Sequence, residues 1–149
     1  MPGTFTLLLY HVVWSTKGRE PWIHEELRDR LYGFTGGIIR DEGGTLLIIN
    51  GVADHVHLLV RWGSDGSLSH LIRNIKARSS RWMHQTFADQ RRFAWQEGYA
   101  AFTVSPSQKA KTIRYIENQE QHHRRRDFKS ELRALLDAHG IEHDPKYLD

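Results

Sequence analysis

The apolar residues of this chain fall into short dense runs separated by longer stretches with helical spacing. A long apolar run from Phe5 to Thr16 predicts a first strand. From Pro21 to about Arg40, Ile23, Leu27, Leu31, Phe34 and Ile38 recur every three or four positions, which predicts a helix with one apolar side. Gly33, Gly36 and Gly37 lie inside it. Each costs up to about 1 kcal/mol of helix propensity, and together they mark either close packing or early termination. Thr45 to Val52 reads as a second strand, passing through a tight connection at Ala53-Asp54 into a third, whose residues 56–60 are β-branched and leucine-rich. Leu68, Leu71, Ile72, Ile75, Ser79, Trp82 and Met83 then form the buried stripe of a second helix. Tyr99 to Ser105 is a fourth strand. Ser105-Pro106 supplies an N-cap and a proline at the first position of a late helix, with no further glycine or proline until Gly140. This β-α-β-β-α-β order predicts an α+β, ferredoxin-like (RRM-like) fold: a four-stranded antiparallel sheet with helices on one face, its first and third strands central.

Side chains alternate across a strand, so His55 and His57 project together while Val56, Leu58, Val60 and Trp62 line the opposite, core-facing side. Two imidazoles side by side on a rigid strand make a metal platform, because neutral imidazole is the commonest protein metal ligand. By itself, His-x-His equally fits an exposed strand face. On the late helix, Tyr115 and Gln119 are four apart, which stacks them on one face with Cβ atoms about 6 Å from each other. A tyrosine hydroxyl can serve as a nucleophile and an amide oxygen as a ligand. By itself, that pair fits a core tyrosine beside a solvent-facing glutamine better than a catalytic pair. His11, on the adjacent central strand, is placed to lie near the histidine pair. His122 and His123, three and four residues past Gln119, either touch the site or are exposed residues at a helix end, the reading preferred for such a position.

Taken together the two motifs resemble the IS200/IS605-type single-tyrosine transposases of the HUH endonuclease superfamily, which also holds the REP-associated tyrosine transposases. Further stretches fit the pattern: Tyr10-His-Val-Val-Trp-Ser-Thr-Lys17, Lys76-Ala-Arg-Ser-Ser-Arg81 and Trp95-Gln-Glu-Gly-Tyr99. The similarity runs from about residue 5 to 123, with 124–149 a helical C-terminal extension similar to one in the REP-associated branch, all within a single domain. The resemblance implies a late helix folded over the open face of the sheet and carrying the catalytic Tyr115. It implies a divalent ion, Mg²⁺ or Mn²⁺, held by His55, His57 and Gln119. It also implies cleavage of single-stranded, hairpin-bearing DNA through a 5′-phosphotyrosine, by a homodimer whose active sites are shared between subunits. The alternative is a non-catalytic or domesticated nucleic-acid-binding module on an RRM-like sheet. Such sheets carry paired aromatics on their central strands, where this chain has His55 and His57.

Composition narrows the picture. With 149 residues the chain suffices for one core. The lack of cysteine removes disulfides and thiolate metal sites and fits a reducing cytoplasm, with association to the nucleoid when bound to DNA. No apolar run approaches the ~20 residues of a membrane span. Charge is uneven: Arg73, Lys76, Arg78, Arg81, Arg91 and Arg92 face a single acid, Asp89, between Ser67 and Arg92, a local excess greater than the net +3 of the whole chain. A solvated helix face ordinarily interleaves acids with its bases, so this one predicts a polyanion partner, with Arg73, Lys76, Arg78 and Arg81 as DNA contacts. Arg124-Arg125-Arg126 with Lys129 is a second basic run, read as either DNA contacts or the flank of a helix end.

Overall fold

A computed structural model describes residues 3–144, so the last five residues of the expected C-terminal extension lie outside the described residues. Its elements are β1 (Leu8–Ser15), α1 (Glu25–Asp41), β2 (Thr45–Val52), β3 (His55–Trp62), α2 (Leu68–Thr86), β4 (Ala100–Val104), α3 (Lys109–Glu117), α4 (Gln119–His122) and α5 (Phe128–Ala138). The strands form one antiparallel sheet in the order β2-β3-β1-β4, so β1 and β3 are central as the ferredoxin-like reading requires. β1 starts later than expected because its partner runs out: Leu8 already pairs with Trp62, the last residue of β3, and Phe5 is left 93% exposed. α1 likewise begins at Glu25. Residues just before it are drawn away from helical bonding, with Ile23 N–H donating to Ala53 O at 2.9 Å and Gln90 Nε2 to Trp22 O at 3.0 Å. Gly33, Gly36 and Gly37 stay inside a continuous α1, so they do not end it.

The sheet is buried on both sides. On one, Val12, Trp14, Val56, Leu58, Val60 and Trp62 pack against the apolar stripes of α1 and α2. On the other, two smaller clusters flank the strand centres. Leu9 and Leu59 lie under Ile116 of α3, while Val13 and Phe102 lie under Phe128 and Leu136 of α5. The polar side chains of His11, His55 and His57 are buried on this second face. Gly51 is demanded by its approach to the neighbouring backbone: a Cβ there would sit 2.1 Å from the carbonyl oxygen of His55. The close crossing at Gly51 is thus part of what sets His55 in place. Side-chain caps fix the starts of α2 and α5, Ser67 accepting from His70 N–H and Asp127 from Ser130 N–H. No helix among the described residues is long and apolar enough to cross a membrane.

Candidate active site

β3 presents His55 and His57 fully buried on the face opposite α1 and α2. Each is oriented through Nδ1. His55 Nδ1 donates to Asp54 Oδ1 at 2.7 Å, which aims Nε2 away from the strand. His57 Nδ1 meets Nε2 of His11 at 2.8 Å, so the neighbour expected from the first strand does lie behind the pair. Burial, then the adjacent His57, lowers His11 to about 3. Burial likewise lowers His57. His55 differs: burial opposes its charge, but Asp54 and Glu131 outweigh that and raise it to about 9.

The late segment breaks where one helix was expected. α3 ends at Glu117, Asn118 leaves helical geometry, and α4 begins at Gln119. Asn50 on β2 explains the stop, since its Nδ2 donates to the carbonyls of Ile116 and Glu117, both at 3.0 Å. That bond also pins the tyrosine helix to the strand opposite His57, because Asn50 and His57 are direct partners across β2 and β3. Tyr115 is half-buried, with its ring centre 5.7 Å from that of His57. Gln119 is buried, its Oε1 3.2 Å from His55 Nε2. Tyr115, Gln119, His55 and His57 therefore converge within one chain.

Two further residues stand at the centre that the sequence pattern did not single out. Glu131, on α5, is 2% exposed. Its Oε1 accepts from Nε2 of His57 and of His123, each at 2.9 Å, and lies 3.4 Å from Nε2 of His55. Its Oε2 accepts from the Tyr115 hydroxyl and, at 3.0 Å, from Gln119 Nε2. His123, expected to be exposed, instead packs edge-on against the His55 ring with ring centres 4.3 Å apart, while His122 stays exposed against Tyr115. The sequence did hold a signal for Glu131: it falls on the apolar stripe Phe128, Leu132, Leu135, Leu136 of its helix, where an acid needs partners to be buried. Burial disfavours its charge, yet the contacts with His123, His55 and His57 hold it well below the usual carboxylate range. Burial and then the Glu131 charge push Tyr115 above the usual tyrosine range, so its hydroxyl keeps its proton at neutral pH.

A cleft of about 730 Å³ opens onto this centre, lined by Tyr115, Glu131 and the run Arg124, Arg125 and Arg126. The basic residues of α2 lie elsewhere. α2 packs on the opposite side of the sheet from the histidines. Arg73 and Arg81 are exposed there, and Arg78 lies 3.7 Å from Asp41. Lys76 departs from the expected outward role: its Nζ donates to the carbonyls of Gln96 and Gly98 and sits 5.6 Å from the Trp14 ring centre, and burial lowers it to about 8. It fastens the 96–98 loop.

Known proteins share this architecture. Residues 4–119 match the family model described as IS200-like transposase. The ISDra2 transposase TnpA of Deinococcus radiodurans is 26% identical over 117 residues, covering 75% of this chain and 84% of that protein. The crystal structure of a putative transposase from Deinococcus radiodurans superimposes with a TM-score of 0.65 at 28% identity, over 80% of this chain and 95% of that one. A REP-associated tyrosine transposase bound to a REP hairpin shares the fold, with a TM-score of 0.62 at 13% identity over 83% of this chain and 74% of that one.

Proposed function

The chain belongs to the IS200-like transposases, enzymes of the single-tyrosine HUH type, and from that premise we propose that it nicks and rejoins single-stranded, hairpin-bearing DNA through Tyr115. The observation that carries this reading is convergence: the Tyr115 hydroxyl and Nε2 of His57 and His123 all bond to one buried carboxylate. The nucleophile thus stands beside the only dense group of imidazoles among the described residues. In the forward step the Tyr115 oxygen bonds to phosphorus as the bond from phosphorus to the 3′ oxygen breaks. The tyrosine proton is lost, the leaving oxygen gains one, and the products are a 5′-phosphotyrosine and a free 3′-hydroxyl. In the reverse direction a 3′-hydroxyl attacks the phosphotyrosine, rejoining the strand and returning the proton to Tyr115. The linkage keeps the energy of the phosphodiester, so no nucleotide cofactor is required.

The donor set fits a divalent cation. His55 and His57 would hold it, with the Gln119 amide oxygen beside His55, and when bound it would withdraw charge from a non-bridging phosphate oxygen. Imidazole-rich sites favour Mn²⁺ over the oxygen-preferring Mg²⁺. The protein's own residues do the rest: Asn50 pins the helix that carries Tyr115, Asp54 and His11 orient the histidines, and Glu131 fixes the tyrosine hydroxyl.

DNA is the partner this reading requires, and the hairpin held by the REP-associated neighbour supports it. Arg124, Arg125 and Arg126 line the same cleft as Tyr115, so they are assigned the strand that is cut. The exposed Arg73 and Arg81 of α2, with Arg78, are assigned DNA farther from the reacting phosphate. Changing Arg124, Arg125 and Arg126 together to glutamine should weaken single-strand binding and reduce the slope of log affinity against log salt by roughly 0.7 for each phosphate no longer neutralised. Fluorescence anisotropy across a salt series reads this directly, and an unchanged slope would route the strand elsewhere.

The site is read as working within one chain, in one domain to which the C-terminal extension contributes. Mixed subunits of His57→Ala and Tyr115→Phe should then stay inactive after subunit exchange, because each chain keeps its own defect. Cleavage restored by mixing would show that a partner supplies the tyrosine.

A further inference from the structure

We propose that His123 and Glu131, both beyond the segment that matches the family, are ligands of the ion, so that the C-terminal extension is a structural part of the metal centre. The inference rests on the metal reading above and adds two ligands to it. The ligand atoms of His55, His57, His123 and Glu131 all lie within 4.8 Å of one another. A six-coordinate ion with bonds of about 2.1 Å needs adjacent ligand atoms about 3.0 Å apart, and it keeps positions open for phosphate beside four protein ligands. Oε1 of Glu131 stands 2.9, 2.9 and 3.4 Å from the three Nε2 atoms, which is close to that spacing before any adjustment.

Rigid placement argues for a ligand over a passing hydrogen-bond acceptor. α5 is anchored by Phe128 and Leu136, which pack with Val13 and Phe102 of the sheet, and the Phe128 ring lies 4.5 Å from that of His55. Glu131, three residues along the same helix, cannot leave the centre unless those contacts open. Its second oxygen is held by Gln119 Nε2 and the Tyr115 hydroxyl, which leaves Oε1 turned to the imidazoles. A carboxylate also supplies the negative charge that two imidazoles and an amide lack, and a buried cation requires it. Gln119 then acts chiefly by orienting Glu131, with its own oxygen still beside His55.

The test is Mn²⁺ binding to the full chain without DNA, followed by electron paramagnetic resonance of the free ion and by calorimetry. Wild type should bind one ion, and His57→Ala should lose it. Glu131→Gln and His123→Ala should each weaken binding by more than about a hundredfold, beyond the roughly 10–100-fold loss expected of a group that only supports the ligands, with circular dichroism confirming the fold. His123→Ala alters a residue at the cleft rim and keeps the test decisive if Glu131→Gln fails to fold. Binding that is lost in His57→Ala but unchanged or tighter in Glu131→Gln and His123→Ala would overturn this inference alone, making Glu131 a group the ion displaces. Absence of binding by wild type would overturn the metal reading beneath it as well.

Discussion

Tyr115→Phe is expected to fold, to bind Mn²⁺ and hairpin DNA as wild type does, and to form no covalent adduct with DNA. The substitution removes one hydroxyl and leaves the ring against His57 and His122. The packing of Ile116 beneath α3 and the Asn50 bonds to the end of that helix do not involve the deleted atom. Strand cleavage should fall by at least about a thousandfold, since no other hydroxyl takes the place of a missing nucleophile. A denaturing gel with labelled oligonucleotide reads both adduct and product. One structural side effect is expected: Glu131 loses a donor on Oε2 but keeps Gln119 there and the histidines on Oε1. Thermal stability should therefore change little, and a large drop would mean that the Tyr115–Glu131 bond is itself structural.

His57→Ala should have an effect of similar size by a different route. It removes a buried imidazole that touches His11 on one side and Glu131 on the other. Metal affinity should fall by more than about a hundredfold, beyond the range seen when only a supporting group is removed. Cleavage should fall with it, because the charge on the phosphate is no longer offset. Chelation of wild type should mimic the variant, and added Mn²⁺ should rescue the chelated protein but not His57→Ala. Hairpin binding should weaken only modestly, since Arg124 to Arg126 and the α2 cations remain. Full cleavage by wild type in excess chelator would contradict this.

The strands and their order were legible because each obeys a short-range rule. β3 alternates histidine with apolar residues until it closes on the core, and that alternation alone places His55 and His57 on one face. His11 was legible once β1 and β3 were central neighbours. The break at Asn118 was not, because its cause is Asn50, 66 residues before the carbonyl of Ile116 that it captures. Helical periodicity reports which face is apolar and says nothing of a distant side chain that takes the last carbonyls. Lys76 departs from its pattern for a related reason: a lysine at the edge of an apolar stripe points to water unless a loop brings carbonyls to it, as residues 96–98 do. Glu131 and His123 sit where sequence spacing has least reach, since their partners are spread over β3, α3 and α4. Only the placement of an acid on an otherwise apolar helix face pointed toward that centre.

Tyr115 is expected to carry the DNA during strand transfer. The most direct measurement is mass spectrometry of the covalent complex formed with a hairpin-bearing oligonucleotide and Mn²⁺, after digestion with nuclease and trypsin. A nucleotide should be found attached to the peptide from Tyr115 to Arg124, with fragmentation placing it on the tyrosine. A nucleotide mapped to any other residue, or cleavage that leaves no covalent protein–DNA species under the same conditions, would contradict it.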